Sequence, residues 1–493
     1  MSTPLRPDGR SIELEGVKIV SPGLRGRVDV FGRNAPGLRG ADAAKDVLVH
    51  SLSATGMQEQ RTIVIRDHAV DRAALSTAPT RSTRFAEPAL AVTVPGPGTG
   101  MGQVMLAADE AGVMRWVFAD DVAPAEAVTR GGEARTYTVP IAVAEEKDTG
   151  QRGLLGAIGK KVLKVFAFKL LDKVAGELAN HYAARWEAQA HPHRLRAFGP
   201  EDYRLPNVPA LSPADLAPFA EGPALLFVHG TMSLSHSGFG RIPPEIVGKL
   251  HDRYEHRVLA FDHPTVSVDP TANAAWLADL VAGAGLRVDI VAHSRGGLVS
   301  RVLVERPDAV GLSSASLEVR SLTMVATPNQ GTALADRDHL GDLVDRVTNL
   351  LALIPDNAVT DVVTIVISVV KQLAVGAFGG LHGLAAMAPG GPWLGELNQS
   401  RPVTATYRAI ASDYEPPPGS PLARLSRDRV VDFVFGNLGN DLIVPEAGVY
   451  SENGGAGFPV GGFVSFSSTR SVDHSSYWTS PEVHAKFDEW LVP

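Results

Sequence analysis

Ser294 stands at a sharp transition in the segment Val288–Val299, where an apolar run ends and a helix-like pattern begins. Ala292 lies two positions before it, Gly296 two positions after it, and His293 directly precedes it. A strained strand-to-helix turn requires small residues at those two places, and it presents the serine hydroxyl at the helix N-terminus, which favours developing negative charge. The spacing therefore predicts a serine nucleophile for acyl transfer.

Two residues further along the chain can activate that serine, which on its own is a weak nucleophile. We expect His474 to accept the serine proton and to return it to the leaving group, and Asp441 to hold the imidazole in the required tautomer. They follow the serine in the order Ser, Asp, His, which is the order found with this type of turn. Asp413 and Asp432 stay open as alternatives for the acid.

The segment Phe227–Met232 is expected to stabilise the negative charge of a tetrahedral intermediate. An apolar run ends there in His229-Gly230, and a strand followed by His-Gly is a place where a backbone N–H can point at the reacting oxygen. We expect the backbone amides of Thr231 and Arg295 to form this oxyanion hole. His229 is expected to orient the loop rather than to react.

Composition excludes several other chemistries. The 493 residues include no cysteine, which rules out disulfides, thiol catalysis and cysteine-ligated zinc. The net charge of −8 is not the basic pattern that nucleic-acid binding requires. His191–His193 is a histidine pair without neighbouring carboxylates, so we predict neither a metal site nor a cofactor. The polar start of the chain, Met1–Arg10, lacks the apolar core of a signal peptide, and we expect a cytoplasmic protein.

The chain after residue 224 alternates short apolar runs with helical stretches. Runs that are apolar throughout are typical of parallel strands covered by helices on both faces. The predicted strands are Ala224–Val228, Arg257–Phe261, Val288–Ala292, Ser321–Ala326, Thr406–Ala411 and Gly462–Ser467.

Residues 1–150 have a different pattern, with many short β-branched and aromatic runs between turn signals. This spacing predicts a β-sandwich or small barrel, and we interpret it as a structural or partner-binding domain, which includes self-assembly. The predicted strands are Ile12–Val20, Arg27–Phe31, Arg61–Arg66, Leu90–Val94, Val104–Ala108, Val113–Phe118 and Arg135–Val143, with a turn at Asp109–Gly112.

Residues 151–204 are predicted to connect the two parts through a long helix, Leu154–Gln189. Apolar residues recur there at three- and four-residue steps among five lysines. Such a basic amphipathic helix either lies on an anionic membrane surface or packs between domains with its lysines in solvent. A second apolar segment, Val362–Val370, is only about half as long as the roughly 20 residues a membrane span needs.

Over roughly residues 224–493 the chain resembles the bacterial lipase and esterase branch of the α/β-hydrolase superfamily. The similarity includes the serine turn and its partners. It also includes the motif after the sixth strand of that fold, a segment that leads into the seventh strand, and the acid motif. The motifs that carry the resemblance are His229-Gly230, Ala292–Gly297, Ala326–Thr332, Met387–Asn398 and Asn440–Pro445. The chain departs from the pattern in Ala292, where a glycine is usual, and in a long insertion from Asp413 to Gly439.

This resemblance implies an α/β-hydrolase domain over residues 205–493, with a helical lid or fixed cap at about 333–395 that could also touch a membrane surface. It implies a serine hydrolase acting on a carboxylic ester with an apolar acyl group, such as a lipid. Two alternatives stay open. The same residues could serve an acyltransferase or thioesterase, or the hydrolase could be a regulated effector or assembly component whose β-rich domain binds a partner.

Overall fold

The computed structural model divides the chain into two compact units. Met1–Asn180 and Ile367–Phe378 form the N-terminal unit, and His181–Val366 and Gly379–Pro493 form the C-terminal unit. The structure describes residues 2–32, 52–53, 56–70, 89–108, 113–120, 133–140, 159–169, 184, 187–188, 191–335, 339–351, 359–375, 381–399, 403–415, 439–451 and 460–493. The predicted turn at Asp109–Gly112 lies outside these residues.

The N-terminal unit consists of two antiparallel sheets around one apolar core, as its alternating strands predict. The strands are β1 (Thr3–Pro4), β2 (Ile12–Leu14), β3 (Val17–Val20), β4 (Leu24–Phe31), β5 (Met57–Val70), β6 (Ala89–Val94), β7 (Met101–Ala108), β8 (Met114–Val117), β9 (Arg135–Pro140) and β10 (Gly159–Lys169). Their order is β1-β4-β5-β10-β7-β8 in one sheet and β2-β3-β6-β9 in the other. Val28, Ile63 and Leu163 of the first sheet and Ile19 and Val92 of the second share the core, which is the arrangement of a sandwich.

The run Ile12–Val20 is a hairpin rather than the single strand predicted. Glu15 and Gly16, between β2 and β3, both have positive φ, 50° and 75°. Two consecutive left-handed residues are typical of the tight turn whose twist matches antiparallel strands. The β-branched run therefore conceals a chain reversal.

The long helix predicted over Leu154–Gln189 is wrong for residues 159–169, which form β10. This strand lies between β5 and β7, and it is antiparallel to both. Leu163 and Val165 point into the core, and Lys164 donates to Glu59 Oε2 at 2.6 Å. The spacing of apolar residues in a short run can match a helix as well as a strand. Here the hydrogen bonding to a neighbouring strand on each edge determines that the segment is a strand. The lysines of this strand thus do not form the basic helix face expected for a membrane surface, and Lys173 lies outside the described residues.

The C-terminal unit is built on a seven-stranded, mostly parallel sheet, which confirms the sheet type predicted from the apolar runs. Its strands are β11 (Arg194–Ala197), β12 (Pro223–Val228), β13 (Val258–Asp262), β14 (Leu286–His293), β15 (Leu317–Val325), β16 (Thr406–Ser412) and β17 (Val460–Phe466). The order is β11-β13-β12-β14-β15-β16-β17, and only β11 pairs antiparallel. β13 lies on one side of β12, and β14 lies on the other side. The direction in which strands are added therefore reverses at β12, and a crevice is expected at the carboxyl ends of β12 and β14.

Helices and short turns connect these strands. The helices are α1 (Ala217–Ala220), α2 (Ser235–Gly238), α3 (Pro244–Arg253), α4 (Pro270–Leu280), α5 (Arg295–Glu305), α6 (Leu340–Leu351), α7 (Val359–Ala374), α8 (His382–Ala385), α9 (Pro392–Leu397), α10 (Ala447–Tyr450) and α11 (Pro481–Trp490). Helix α5 begins directly after β14, so a single residue, Ser294, makes the turn between them.

The predicted lid or cap, about 333–395, does not belong to one unit. Residues Ile367–Phe378, which include the second half of α7, cluster with the N-terminal strands. Within that unit Lys371 Nζ lies 5.6 Å from the centre of the Phe168 ring. Helix α7 is apolar on nearly all faces, with Val363 and Ile365–Val370 buried, and such a helix requires cover on several sides. None of the described helices is both long enough and apolar enough to cross a bilayer.

Candidate active site

Ser294 occupies the strained turn that its neighbours predict. Its φ and ψ are 51° and −129°, outside the range that a residue with a side chain usually adopts. The turn is held by a 2.8 Å hydrogen bond from Ser294 N to the carbonyl of Val325 on the adjacent strand. A side-chain carbon at Gly296 would lie 2.2 Å from the Val228 carbonyl oxygen, so only glycine fits where α5 passes the end of β12.

The loop after β12 lies against this serine. A side-chain carbon at Gly230 would stand 2.7 Å from Ser294 Cβ, which requires glycine there. The next residue is Thr231, and the residue after it is held in place because Met232 N donates to Thr265 Oγ1 at 3.0 Å. Arg295 is the first residue of α5, where an N–H has no partner within its own helix. Thr231 and Arg295 thus directly follow Gly230 and Ser294, two residues that lie against each other, and their role as oxyanion donors stays a prediction.

His229 is fixed as a neutral ring. Its Nε2 accepts the backbone N–H of His263 at 3.1 Å, so its proton resides on Nδ1, which donates to the Gly230 carbonyl at 3.0 Å. Burial lowers the pKa of His229 to about 4, although Asp262 lies nearby. This ring cannot act as a base towards Ser294 while both its nitrogens are engaged, and it braces the loop that carries Thr231.

His474 and Asp441 form a hydrogen-bonded pair at the carboxyl edge of the sheet. His474 Nδ1 lies 2.8 Å from Asp441 Oδ2, and the His474 backbone N–H donates to the Asp441 carbonyl at 3.0 Å. The other carboxylate oxygen accepts the backbone N–H groups of Ile443 and Val444, at 3.1 and 2.8 Å. Burial alone would raise the pKa of Asp441, but His474 and these amides outweigh it and leave the pKa below its ordinary value. The acid therefore stays ionised and fixes the imidazole through Nδ1.

Tyr477 is a further partner of this acid that the sequence analysis did not identify. Its hydroxyl donates to Asp441 Oδ2 at 3.0 Å. Burial, together with the Asp441 charge, raises the pKa of Tyr477 well above the ordinary value, so the phenol remains a donor. In the sequence, Tyr477 could be noticed by its position three residues after His474, but this position belongs to no motif.

His293 connects the serine turn to the histidine loop. Its Nε2 donates to the His474 carbonyl at 3.0 Å, and the two rings have centres 4.8 Å apart. Burial lowers the pKa of His293 to about 3, with the neighbouring His474 as a second cause, so the ring is neutral. Trp478 packs edge-on against it with ring centres 5.4 Å apart. The residue beside Ser294 and the residue proposed as base thus belong to one packed group.

The alternative acid Asp413 lies beside Gly439, two residues before Asp441. A side-chain carbon at Gly439 would be 2.9 Å from Asp413 Oδ1 and 3.0 Å from Glu446 Oε2, which places this carboxylate beside Gly439. His474 bonds to Asp441 instead. Asp432, the other alternative, lies outside the described residues.

One group of described residues has metal-ligand geometry. His251, Asp252 and His256 place ligand atoms within 4.8 Å of one another on the surface. The two imidazole Nδ1 atoms are 2.9 Å apart and hydrogen-bond to each other. His251 and Asp252 lie in the last turn of α3 and His256 follows this helix, away from Ser294 in the sequence.

Solved structures similar to this chain include three bacterial proteins. Lipase BlEst2 of Bacillus licheniformis in mature form is 18% identical, with 55% of this chain and 92% of that chain covered and a TM-score of 0.36. Lipase 1 of Pelosinus fermentans is 15% identical, with 54% and 98% covered and a TM-score of 0.35. The putative alpha/beta hydrolase family protein of Desulfitobacterium hafniense is 15% identical, with 55% and 97% covered and a TM-score of 0.32. These values are too low to transfer an activity.

A match to a family covers most of the C-terminal unit, whereas no curated protein matches the chain. The family is described only as a domain of unknown function, and its model matches residues 190–492, which include Ser294, Asp441 and His474. By this match, over more than half of its length, the chain belongs to the family "Domain of unknown function (DUF7379)".

Proposed function

We propose that the protein is an α/β-hydrolase-type serine hydrolase that cleaves carboxylic esters with an apolar acyl group. The observation that carries this proposal is the His474–Asp441 pair, 2.8 Å between Nδ1 and Oδ2, beside the strained turn at Ser294. A buried ionised acid that fixes a histidine next to a strained serine has a direct chemical use in acyl transfer.

In the proposed reaction Ser294 Oγ attacks the ester carbonyl carbon and His474 Nε2 takes its proton. The carbonyl oxygen becomes an oxyanion, which the N–H groups of Thr231 and Arg295 stabilise. His474 then protonates the leaving alcohol, and the acyl group stays on Ser294. A water molecule, deprotonated by His474, then attacks the acyl carbon. The bond between this carbon and Ser294 Oγ breaks, His474 returns its proton to Oγ, and the carboxylic acid leaves.

The preference for an apolar acyl group is supported by a methionine that contacts the loop after β12. Met387 Sδ lies 3.5 Å from Thr231 Oγ1, and the Met387 carbonyl accepts Thr332 N at 2.9 Å. The thioether thus contacts Thr231, whose backbone N–H we propose as an oxyanion donor. Methionine presents a flexible apolar surface that adapts to chains of different shape.

The test is turnover of a p-nitrophenyl butyrate ester by wild type and by Ser294→Ala. We expect the variant to lose more than about 99% of the activity, because removing a nucleophile of this kind costs several orders of magnitude. Ser300→Ala is the matched control: this serine is also buried in α5, but its hydroxyl donates to the Gly296 carbonyl at 2.8 Å. Retention of turnover above a few per cent in Ser294→Ala would remove Ser294 from the mechanism. Product analysis with an added alcohol or thiol separates hydrolysis from acyl transfer.

A further inference from the structure

A buried carboxylate, that of Glu187, bonds to the backbone of the segment after β13, in a part of the chain to which the proposed reaction assigns no role. Glu187 is 1% exposed, and its side chain accepts three consecutive backbone N–H groups. Its Oε1 accepts Thr265 N at 2.8 Å and Val266 N at 2.9 Å, and its Oε2 accepts Ser267 N at 2.7 Å. Charge-assisted bonds from three successive amides fix both the position and the direction of a loop. We name residues 263–269 the Glu187 loop.

The Glu187 loop holds the first oxyanion donor. Thr265 Oγ1 accepts the backbone N–H of Met232 at 3.0 Å, and Met232 directly follows Thr231. Met232 has a φ of 55°, a strained value that needs support from its surroundings. At the start of the loop, His263 N donates to His229 Nε2, so both sides of Thr231 are attached to the same segment.

The same loop holds the second donor. The Arg295 guanidinium is fully buried and donates through Nη2 to the Val268 carbonyl and through Nε to the Gly383 carbonyl at 3.1 Å. Gly383 N in turn donates to the Val266 carbonyl at 2.9 Å. Burial lowers the pKa of Arg295 to about 10, and the nearby Glu187 charge opposes that effect. The residue after the nucleophile is thereby tied to the loop that Glu187 fixes.

We infer that Glu187 is a positioning residue that sets both backbone donors of the oxyanion hole through the Glu187 loop. The inference rests on the proposed function. Glu187 touches neither Ser294 nor the donors themselves, and it precedes the residues 190–492 that match the family. A carboxylate suits this role because both of its oxygens must accept; an amide would turn one acceptor into a donor facing an N–H.

The experiment compares Glu187→Gln with wild type in ester turnover. Small displacements of the reacting geometry from a distance cost about 10²-fold, so we expect kcat to fall by that factor with KM changed by less than about threefold. Affinity for a boronic acid, whose tetrahedral serine adduct places an oxygen in the oxyanion hole, should weaken in parallel with kcat/KM. A residue that only stabilised the fold would lower the melting temperature without moving either quantity.

Glu305→Gln is the matched control. This carboxylate is also buried and multiply bonded, to Arg301 and to the Tyr407 hydroxyl at 2.8 Å, but at the far end of α5. We expect it to lose thermal stability and to keep kcat and the boronic acid affinity. If Glu187→Gln behaves like Glu305→Gln, the inference is overturned.

A second variant covers the case in which Glu187→Gln does not fold. Thr265→Val removes only the acceptor for Met232 N, and we expect a smaller loss of kcat, about 10-fold, as for a single lost hydrogen bond. Unchanged kcat in Thr265→Val would contradict the route to Thr231. Absence of turnover and of serine labelling in wild type would overturn the proposed function and with it this inference, whereas an active wild type with unaffected variants overturns the inference alone.

Discussion

The two units of this molecule bury different kinds of residue. In the described residues of the N-terminal unit the interior is formed mainly by Val, Ile and Leu side chains from two sheets. Its buried polar residues are Ser21, Thr62, Gln103 and Arg135 and, in α7, Ser368, Lys371 and Gln372. In the C-terminal unit, buried carboxylates, histidines and an arginine gather at the carboxyl ends of parallel strands, among them Glu187, His229, His293, Arg295 and Asp441. Burying a charged side chain costs free energy, and a protein in which apolar residues replace a buried ion pair is often as stable or more stable. We interpret the first interior as one that serves folding and the second as one that also serves the reaction proposed for Ser294.

The largest expected effect concerns the acid. Asp441→Asn should lower ester turnover by about 10⁴-fold, because an amide in this position stabilises the wrong tautomer of His474. Asp413→Asn should change turnover by less than about threefold relative to wild type, which is far smaller than the loss expected when the acid is removed. Steady-state kinetics of both variants decide the matter, and the reverse ranking would make Asp441 a structural loop residue.

Acid should destabilise the C-terminal unit selectively. The folded pKa values of His229 and His293 are about 4 and about 3, below the ordinary value of 6.5. Between pH 6.5 and pH 4 the unfolded chain binds protons at both rings while the folded chain does not, so the free energy of unfolding falls as the pH falls. The loss from pH 7 to pH 5 is about 4 kcal/mol for the two rings together.

Calorimetry at pH 7 and pH 5 measures this difference between units. The N-terminal unit contains only His50 and His68 in its sequence, so its transition should move less than the one that abolishes ester turnover. Equal shifts of all transitions, or none, would contradict neutral buried histidines as the cause.

Tyr477→Phe tests the hydrogen bond to the acid. Loss of a bond to a charged group should lower the free energy of unfolding by about 2 kcal/mol, and turnover should fall about 10-fold because Asp441 keeps its other donors. Tyr203→Phe is the control, since that hydroxyl donates to the neutral carbonyl of Ile242 at 2.9 Å. Equal turnover in both variants would show that Tyr477 serves packing alone.

The smallest effect is expected in the N-terminal unit. Tyr137 donates to Gln103 Oε1 at 3.1 Å inside the sandwich core. Tyr137→Phe should cost about 1 kcal/mol of unfolding free energy and leave ester turnover unchanged. A clear loss of turnover at full folding would show that the chemistry depends on both units.

The sequence predicted those parts of the site that local sterics determine. The turn at Ser294 needs small neighbours and a strand that runs into a helix, and both are visible in consecutive residues. Five apolar runs correspond to β12–β16 because strands buried on two faces admit little else. The last predicted strand, Gly462–Ser467, corresponds to β17, which is partly exposed. Asp441 and His474 were predicted from the order Ser, Asp, His that is found with this type of turn.

Other features depend on partners distant in the chain. The run at β10 was predicted as helix because its spacing suits both periods, and only β5 and β7 decide between them. Glu187 acts through amides about 80 residues away, and no motif marks such a contact. Half of α7 belongs to the N-terminal unit. The sequence of α7 is that of a buried apolar helix, and it does not show to which unit each half belongs.

The central claim, that Ser294 is an activated nucleophile, is tested most directly by covalent labelling with a fluorophosphonate followed by peptide mass spectrometry. We expect one phosphonyl group per chain, on Ser294, with labelling much slower in Asp441→Asn and absent in Ser294→Ala. A folded wild-type protein that stays unlabelled, or that carries the label on another residue, would contradict the account.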